Sequence, residues 1–130
     1  MSTMPLVFKP VDISLEEKEC RKDYFDRHTP FVICERETKR NQKFKVKVTL
    51  GDQYVHPDDY DHYISTIQLW NRETLLAQVH FMPGAMGNQP GHVEVDFYVV
   101  PKMTMNLTAM AVCTKHGLWE SETVDVAVVD

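Results

Sequence analysis

The stretch Phe44-Lys45-Val46-Lys47-Val48-Thr49-Leu50 determines the predicted fold, because its apolar and polar residues alternate strictly. A side-chain period of two is typical of a β-strand with one face buried and the other in solvent. We therefore predict that the four apolar residues of this stretch face the core and that the three polar residues face water.

Six further runs repeat this strand pattern on either side of the first. Turn-forming sequences separate them, notably Gly51-Asp52, Asn71-Arg72-Glu73 and the loop from Pro83 to Gly91. About seven short strands in roughly 100 residues predict an all-β, immunoglobulin-like antiparallel sandwich. The further runs are Phe31 to Glu35, Tyr63 to Trp70, Leu75 to Met82, Val93 to Val100, Met103 to Cys113 and Thr123 to Val129.

A short N-terminal helix precedes the predicted strands. Ser14 and Glu17 form a capping-box pattern, and the run from Leu15 to about Tyr24 contains good helix formers. Pro30 favours an extended backbone at the residue before it, which separates the helix from the first strand. We expect a single domain over residues 1–130, with an N-terminal segment at 1–27 and the sandwich at 28–130.

Composition excludes several classes of protein. The 130 residues include 43% hydrophobic residues, and the net charge is −5. An acidic chain lacks the clustered basic face of a nucleic-acid binder. No apolar run approaches the roughly 20 residues that span a bilayer, and Met1-Ser2-Thr3-Met4-Pro5 does not resemble a signal peptide. We therefore expect a cytoplasmic protein that binds neither nucleic acid nor membrane.

Four of the six histidines lie in or beside predicted turns or at the ends of predicted elements. His28 lies between the helix and the first strand, and His56 and His62 flank a Pro-Asp-Asp turn. Cys113 and His116 lie three residues apart at the end of a strand, just before a glycine that permits a tight bend. Loops of this kind can direct several side chains toward one point.

Together these loops offer four imidazoles and one thiolate. Structural zinc sites usually close with four ligands and contain more cysteine, whereas this mixed set of five suits a redox iron with an open sixth position. The alternative is that these histidines are ordinary surface residues that share no metal. We expect no ligand role for His80, His92, Cys20 or Cys34.

At these residues the sequence resembles a known family. Asp26-Arg27-His28-Thr29-Pro30, then His56-Pro57 with His62-Tyr63-Ile64, then Cys113-Thr114-Lys115-His116-Gly117-Leu118-Trp119 are similar, in the same order, to the superoxide reductases, which include neelaredoxins and desulfoferrodoxins. The resemblance implies an immunoglobulin-like sandwich with one mononuclear non-haem iron. It implies that four histidines surround the iron in a plane, with one cysteine on the axis. By position the ligands are His28, His56, His62, His116 and Cys113.

The resemblance also implies an activity and partners. Members of the family reduce superoxide by one electron to hydrogen peroxide, and an external donor such as rubredoxin then reduces the iron again. Longer members carry an N-terminal Cys-x-x-Cys iron domain, whereas residues 1–27 here contain only Cys20. The chain therefore resembles the shorter, single-iron class, whose members often form homotetramers, and a tetramer or a dimer is expected.

Two positions depart from the family pattern. The family usually has Glu-Lys before the first histidine, where the Glu can cap ferric iron and the Lys attracts superoxide and helps deliver a proton. Here Asp26 and Arg27 take these places, and Asp is one methylene shorter. Arg27 keeps the positive charge but is a poor proton donor. Lys115, between two implied ligands, is a second candidate for the missing lysine, or it simply faces solvent.

Two other functions remain open at this stage. The first is an iron-binding electron-transfer module with weak or no superoxide turnover, because the Glu-Lys pair has changed. The second is an interaction protein in which the loop from Met82 to Pro90 binds a partner.

Overall fold

The computed structural model describes Val7–Phe8 and residues 22–130 of the chain. This part of the chain contains ten strands and one helix. In chain order they are β1 (Val7–Phe8), α1 (Lys22–His28), β2 (Pro30–Ile33), β3 (Glu37–Lys39), β4 (Phe44–Leu50), β5 (Ile64–Asn71), β6 (Thr74–His80), β7 (Glu94–Val99), β8 (Met105–Cys113), β9 (Gly117–Glu120) and β10 (Val124–Val129).

The strands form two sheets. The smaller sheet has the order β2-β4-β7, and both of its pairings are antiparallel. In the larger, seven-stranded sheet, β8 is central: β5 pairs with one of its edges, and β9 and β10 pair with successive parts of the other. β6 extends the sheet beyond β5, while β1 and β3 add short parallel pairings to β9 and β10.

The core lies between the sheets and follows the alternation seen in the sequence. On β4, Phe44 is 6% exposed and Val46, Val48 and Leu50 are fully buried, as predicted. On β8 every second residue is buried, from Met105 to Cys113. The opposite face of β4 is less uniform than predicted, because Thr49 is buried and donates a hydrogen bond to Glu94.

The predicted sandwich with a short helix is confirmed, and all seven predicted strands are present. The structure adds three strands of two to four residues, β1, β3 and β9, which are too short to show a period of two. The helix described here spans Lys22–His28, so the backbone before Thr29 is helical further along the chain than predicted. The Ser14–Glu17 capping box lies outside the described residues.

Several elements begin or end at the same end of the sandwich. Cys113, the last residue of β8, pairs with Ile64, the first residue of β5. Pro30 at the start of β2 pairs with Leu50 at the end of β4, so helix α1 and the turn after β4 also reach this end. Within the described part of the chain, no helix has the length and apolar character that a membrane crossing needs.

Candidate metal centre

Four of the five predicted ligand residues form a compact cluster at this end of the sandwich. One ligand atom from each of His28, His56, His62 and Cys113 lies within 4.8 Å of the others. His28 and His56 are 1% exposed and Cys113 is 2% exposed, whereas His62 is half-buried. Helix α1, the 51–63 loop and strand β8 each contribute to the cluster, so residues far apart in sequence meet at one point.

His116 completes a closed cycle of four imidazole rings. Its ring centroid lies 4.8 Å from that of His28 and 4.9 Å from that of His62. The two other neighbouring pairs, His28 with His56 and His56 with His62, are 5.1 and 4.9 Å apart. Successive rings are nearly perpendicular, with interplanar angles of 75 to 82°. The structure therefore brings together all five residues that the sequence singled out as ligands.

Backbone carbonyls fix the orientation of the two most buried histidines. His28 Nδ1 lies 2.5 Å from the carbonyl oxygen of Tyr24, and His56 Nδ1 lies 2.7 Å from that of Pro57. Because a carbonyl only accepts hydrogen bonds, each Nδ1 carries the proton and each Nε2 presents a lone pair to the cluster. Donation of the second ring N–H to a carbonyl is the usual arrangement for a metal-binding histidine.

Distances between the donor atoms fit a shared metal ion. His28 Nε2 lies 3.0 Å from His116 Nδ1. Two nitrogens bound at right angles to one ion, each at about 2.1 Å, are also about 3.0 Å apart, whereas a tetrahedral angle would separate them by about 3.4 Å. Cys113 Sγ lies 3.3 Å from His56 Nε2 and 3.6 Å from His116 Nδ1, so the sulfur adjoins the same point.

His62 supplies an independent indication of a missing ligand. Its Nε2 is buried and has no hydrogen-bond partner among the described residues. A buried polar atom without a partner costs about 1–3 kcal/mol, so native structures rarely leave one unsatisfied. A metal ion at the centre of the cluster would satisfy this nitrogen. The donor set of imidazoles and one thiol is consistent with iron.

Burial favours the neutral form of all four imidazoles. It lowers the pKa of His28 and of His56 to about 4, against the partial opposing effect of the backbone hydrogen bonds. Burial also lowers the pKa of His62 and of His116. Protons therefore compete little with a metal for these nitrogens near pH 7.

The thiol of Cys113 is subject to opposing influences. Burial raises its pKa, while hydrogen bonds from the backbone amides of Lys115 and His116 lower it. Those amides stabilise the thiolate, which is the form that binds metal. A metal ion at this point would therefore displace the thiol proton and be held by a negatively charged sulfur.

The metal-free protein is expected to lose stability as the pH falls from about 6.5 to about 4. In this range the unfolded chain protonates histidines whose ordinary pKa is 6.5, whereas folded His28 and His56 stay neutral until about 4. The unfolded state then binds more protons, and each unit of pKa shift removes about 1.4 kcal/mol per histidine. Urea unfolding at pH 7 and pH 4.5 measures the loss. The variant carrying both His28→Gln and His56→Gln should lose less, and equal losses in the two proteins would contradict the assignment.

Trp119 supports two of the clustered histidines. It is 1% exposed, and its ring stacks on that of His28 with centroids 4.8 Å apart and an interplanar angle of 17°. Its Nε1 donates a hydrogen bond of 3.0 Å to the carbonyl of His116. Sequence reasoning placed Trp119 in the family motif but gave it no role. Its position at the end of the Cys113–Trp119 motif was the available signal.

Asp58 links two loops beside the cluster and was also missed. Its carboxylate is buried, and one oxygen accepts hydrogen bonds of 2.9 Å from the amides of Met86 and Asn88. The backbones of His56 and Gly91 exchange two further hydrogen bonds of 3.0 Å. The 82–91 loop is thus attached to the segment that carries His56. The Pro-Asp-Asp sequence indicated a turn there, but not its partner loop.

The three predicted catalytic residues occupy different positions around the cluster. Arg27 forms an ion pair with Asp23, one helical turn earlier, with 3.5 Å between Nη2 and Oδ2. Lys115 forms an ion pair with Asp61, with 3.8 Å between Nζ and Oδ2. The charges of Lys115 and Arg27 act with burial to lower the pKa of His116, so both cations influence the cluster. Asp26 points its carboxylate at the turn after β4.

The remaining histidines and Cys34 lie apart from the cluster. His80 Nδ1 lies 3.2 Å from Thr66 Oγ1, and His92 Nδ1 lies 2.9 Å from the carbonyl of Leu50. Cys34 is a half-buried free thiol that packs against the core. That these three residues bind no metal stays a prediction. Cys20 lies outside the described residues.

Several histidines and one cysteine that meet around a single point at the end of a β-sandwich define a candidate metal-binding protein. Comparisons with known proteins narrow this class. A family model described as desulfoferrodoxin matches residues 17–122. The superoxide reductase of Pyrococcus furiosus is 31% identical over 110 residues, covering 75% of this chain and 86% of its own. The neelaredoxin of Megalodesulfovibrio gigas is 28% identical over 109 residues, covering 74% and 84%.

A solved structure of a superoxide reductase is also similar to this chain. A variant of the superoxide reductase (neelaredoxin) from Ignicoccus hospitalis superposes with a TM-score of 0.79 and 28% identity, covering 99% of this chain and 100% of that one. The chain belongs to the desulfoferrodoxin family, which includes the superoxide reductases and neelaredoxins.

Proposed function

We propose that the protein is a superoxide reductase that works at one iron held by His28, His56, His62, His116 and Cys113. The reaction would add one electron and two protons to superoxide and release hydrogen peroxide. The observation that carries the proposal is the cycle of four imidazoles beside a buried thiol in a member of this family.

The ligand residues determine the charge that a substrate meets. Four neutral imidazoles and one thiolate offset only one of the two positive charges of ferrous iron, which leaves a net charge of about +1. When bound, the iron supplies the single electron that superoxide receives. Cys113 would contribute a strongly electron-donating ligand, and its burial keeps solvent away from the sulfur.

Differences in burial indicate the side from which a substrate would reach the centre. His28 and His56 are almost completely buried, whereas His62 and His116 are half-buried. We propose that superoxide enters past His62 and His116. Lys115 is an exposed residue in the same segment as His116.

Arg27 and Lys115 are proposed to attract superoxide through their positive charge. Each forms an ion pair with an exposed carboxylate, and such pairs are weak in water, so the cations remain available. The guanidinium group of an arginine is a poor proton donor. Water therefore supplies the protons in this proposal.

Removing either cation should slow the second-order reaction with superoxide by about threefold, and removing both should slow it by about tenfold. Pulse radiolysis of Arg27→Ala, Lys115→Ala and the double variant at several salt concentrations measures this rate. The double variant should also respond less to salt, because salt screens charges over about 10 Å at 0.1 M.

Lys43→Ala is the matched control for these variants. Lys43 is an exposed cation at the opposite end of β4 from the cluster, and its Nζ lies 5.9 Å from the centre of the Tyr98 ring. Its removal changes the net charge equally and should leave the rate unchanged. The steering proposal fails if Arg27→Ala and Lys115→Ala both keep the unmodified rate and salt dependence.

The function itself is tested by product analysis. Reduced, iron-loaded protein is mixed with superoxide, and hydrogen peroxide and dioxygen are measured together. A reductase forms one molecule of hydrogen peroxide for each iron that is oxidised, and the enzyme releases no dioxygen. Protein that stays reduced, or that releases dioxygen in the proportion of a dismutase, contradicts the proposal.

The second candidate is an iron-binding electron-transfer module with weak or no superoxide turnover. Its support is that Asp26 and Arg27 occur where the family usually has Glu-Lys. This candidate predicts a reversible iron centre that exchanges electrons with a donor but reacts slowly with superoxide. The same kinetic experiment separates the two.

We further propose that rubredoxin or a similar small redox protein restores the ferrous state, and that the protein is a cytoplasmic homotetramer or dimer. The support is family membership. Reduction of the ferric protein by reduced rubredoxin, and sedimentation of the purified protein, test the donor and the assembly separately.

A further inference from the structure

The carboxylate of Asp26 is held by three consecutive backbone amides. Its Oδ2 accepts hydrogen bonds from the amides of Asp52, Gln53 and Tyr54 at 3.1, 3.0 and 2.8 Å. Its Oδ1 lies 3.1 Å from the amide of Asp52. Successive backbone N–H groups that converge on one anion form a concave anion-binding site. Both oxygens of Asp26 are therefore engaged by the turn that follows β4.

The helix directs Asp26 away from the cluster. Asp26 and His28 both lie on α1, two residues apart, which separates their side chains by about 200° around the helix axis. The face that carries His28 also carries Tyr24, whose ring centroid lies 4.8 Å from that of His28. The side chain of Asp26 is thus on the opposite face of α1 from the imidazoles.

The turn after β4 fits closely over the end of the helix. Gly51 adopts a φ of 72°, and its amide donates a hydrogen bond of 2.9 Å to the carbonyl of Thr29. A Cβ at Gly51 would lie 2.4 Å from the carbonyl oxygen of Tyr54 and 3.4 Å from Arg27 Cα. Only glycine permits this approach, which brings the three amides within reach of Asp26.

We propose that Asp26 is a positioning residue that fixes the helix bearing His28 to the turn that leads to His56, and that it does not cap the metal. The proposal rests on the proposed iron centre. Since His28 and His56 are neighbours in the imidazole cycle, their separation depends on how α1 is attached to the 51–55 segment. Asp26 would therefore act on a bound metal through the two histidines and not as a ligand.

Three measurements on Asp26→Ala and Asp26→Asn test the proposal. Amide hydrogen exchange at Gln53 and Tyr54 should become at least about tenfold faster in Asp26→Ala, because their acceptor is lost. Release of iron to a chelator should also accelerate by about tenfold, as expected when a partner that orients ligands is removed. Asp26→Asn keeps one carbonyl acceptor and should fall between wild type and Asp26→Ala in both measurements.

The third measurement is azide binding to the ferric protein. If Asp26 does not cap the iron, azide affinity should stay within about twofold of wild type in both variants. If Asp26 is a cap, its removal should raise azide affinity at least tenfold and leave amide exchange at Gln53 and Tyr54 unchanged. That result would overturn the proposal, as would unchanged iron release in Asp26→Ala.

Two control variants separate positioning from charge and from general stability. Asp52→Asn removes an exposed charge from the same turn but keeps the amide that donates to Asp26. Val126→Ala truncates a fully buried residue of β10, far along the sandwich from Cys113. Both should release iron at the wild-type rate, and Val126→Ala should do so despite a lower melting temperature. Equal acceleration in Val126→Ala would overturn the positioning role. None of these measurements uses superoxide, so they stand apart from the test of the reductase activity.

Discussion

Cys113→Ser is expected to lose the thiolate-to-iron absorption band and at least about 99% of the superoxide reduction rate. The sulfur lies 3.3 Å from His56 Nε2 and 3.6 Å from His116 Nδ1, so it adjoins the point that the imidazoles surround. A serine hydroxyl has nearly the same size, but it stays protonated near neutral pH and provides no negative charge to the metal. The visible spectrum and the kinetics with superoxide measure the two losses.

Cys34→Ser is the matched control for this substitution. Cys34 is the other free cysteine in residues 22–130, and it packs against the core rather than near the histidines. The Cys34 variant should keep both the band and the rate. A Cys113→Ser protein with an unchanged band and a rate within twofold of wild type would show that the thiol is not a ligand.

Trp119→Ala is expected to lower the free energy of unfolding by about 3–5 kcal/mol and to accelerate iron release by about tenfold or more. The stability loss follows from the burial of Trp119, which is 1% exposed. The effect on iron has a separate cause: the indole stacks on His28 and its N–H holds the carbonyl of His116. Truncation removes both supports while leaving every proposed ligand in place.

Trp70→Ala and Trp119→Phe separate these two causes. Trp70 is half-buried on β5. Its indole N–H donates a hydrogen bond to the side chain of Gln68 and not to a residue of the cluster. Its truncation should cost less stability and leave iron release unchanged. Trp119→Phe keeps an aromatic ring against His28 but loses the N–H and should fall between wild type and Trp119→Ala. Iron release at the wild-type rate in Trp119→Ala, despite its lower stability, would contradict the supporting role.

The strands that carry the core were predictable because their signal is local. A period of two along β4 shows which side chains face the core without any knowledge of the partner strands. The short strands β1, β3 and β9 give no such signal, since two to four residues cannot show a period. Their pairing depends on strands far along the chain, including parallel partners for β1 and β3.

The proposed ligands were predictable for a related reason. Each lies in or beside a predicted turn or at the end of a predicted element, and the family resemblance links them in order. The supporting contacts were not predictable, because Asp26 accepts from residues 26 to 28 positions away and Asp58 from residues 28 to 30 positions away. Such contacts between a side chain and a distant backbone leave no periodic pattern. Asp26 was also expected to lie after the end of the helix, whereas the helix includes it and continues to His28.

The visible absorption spectrum of the iron-loaded protein tests the central claim most directly. It is recorded after oxidation, after reduction, and after superoxide is added to the reduced protein. A redox iron bound by Cys113 predicts a blue band in the ferric protein that disappears on reduction and returns with superoxide. A protein that stays colourless and takes up no iron after anaerobic reconstitution would contradict the iron centre and the reductase function proposed for it.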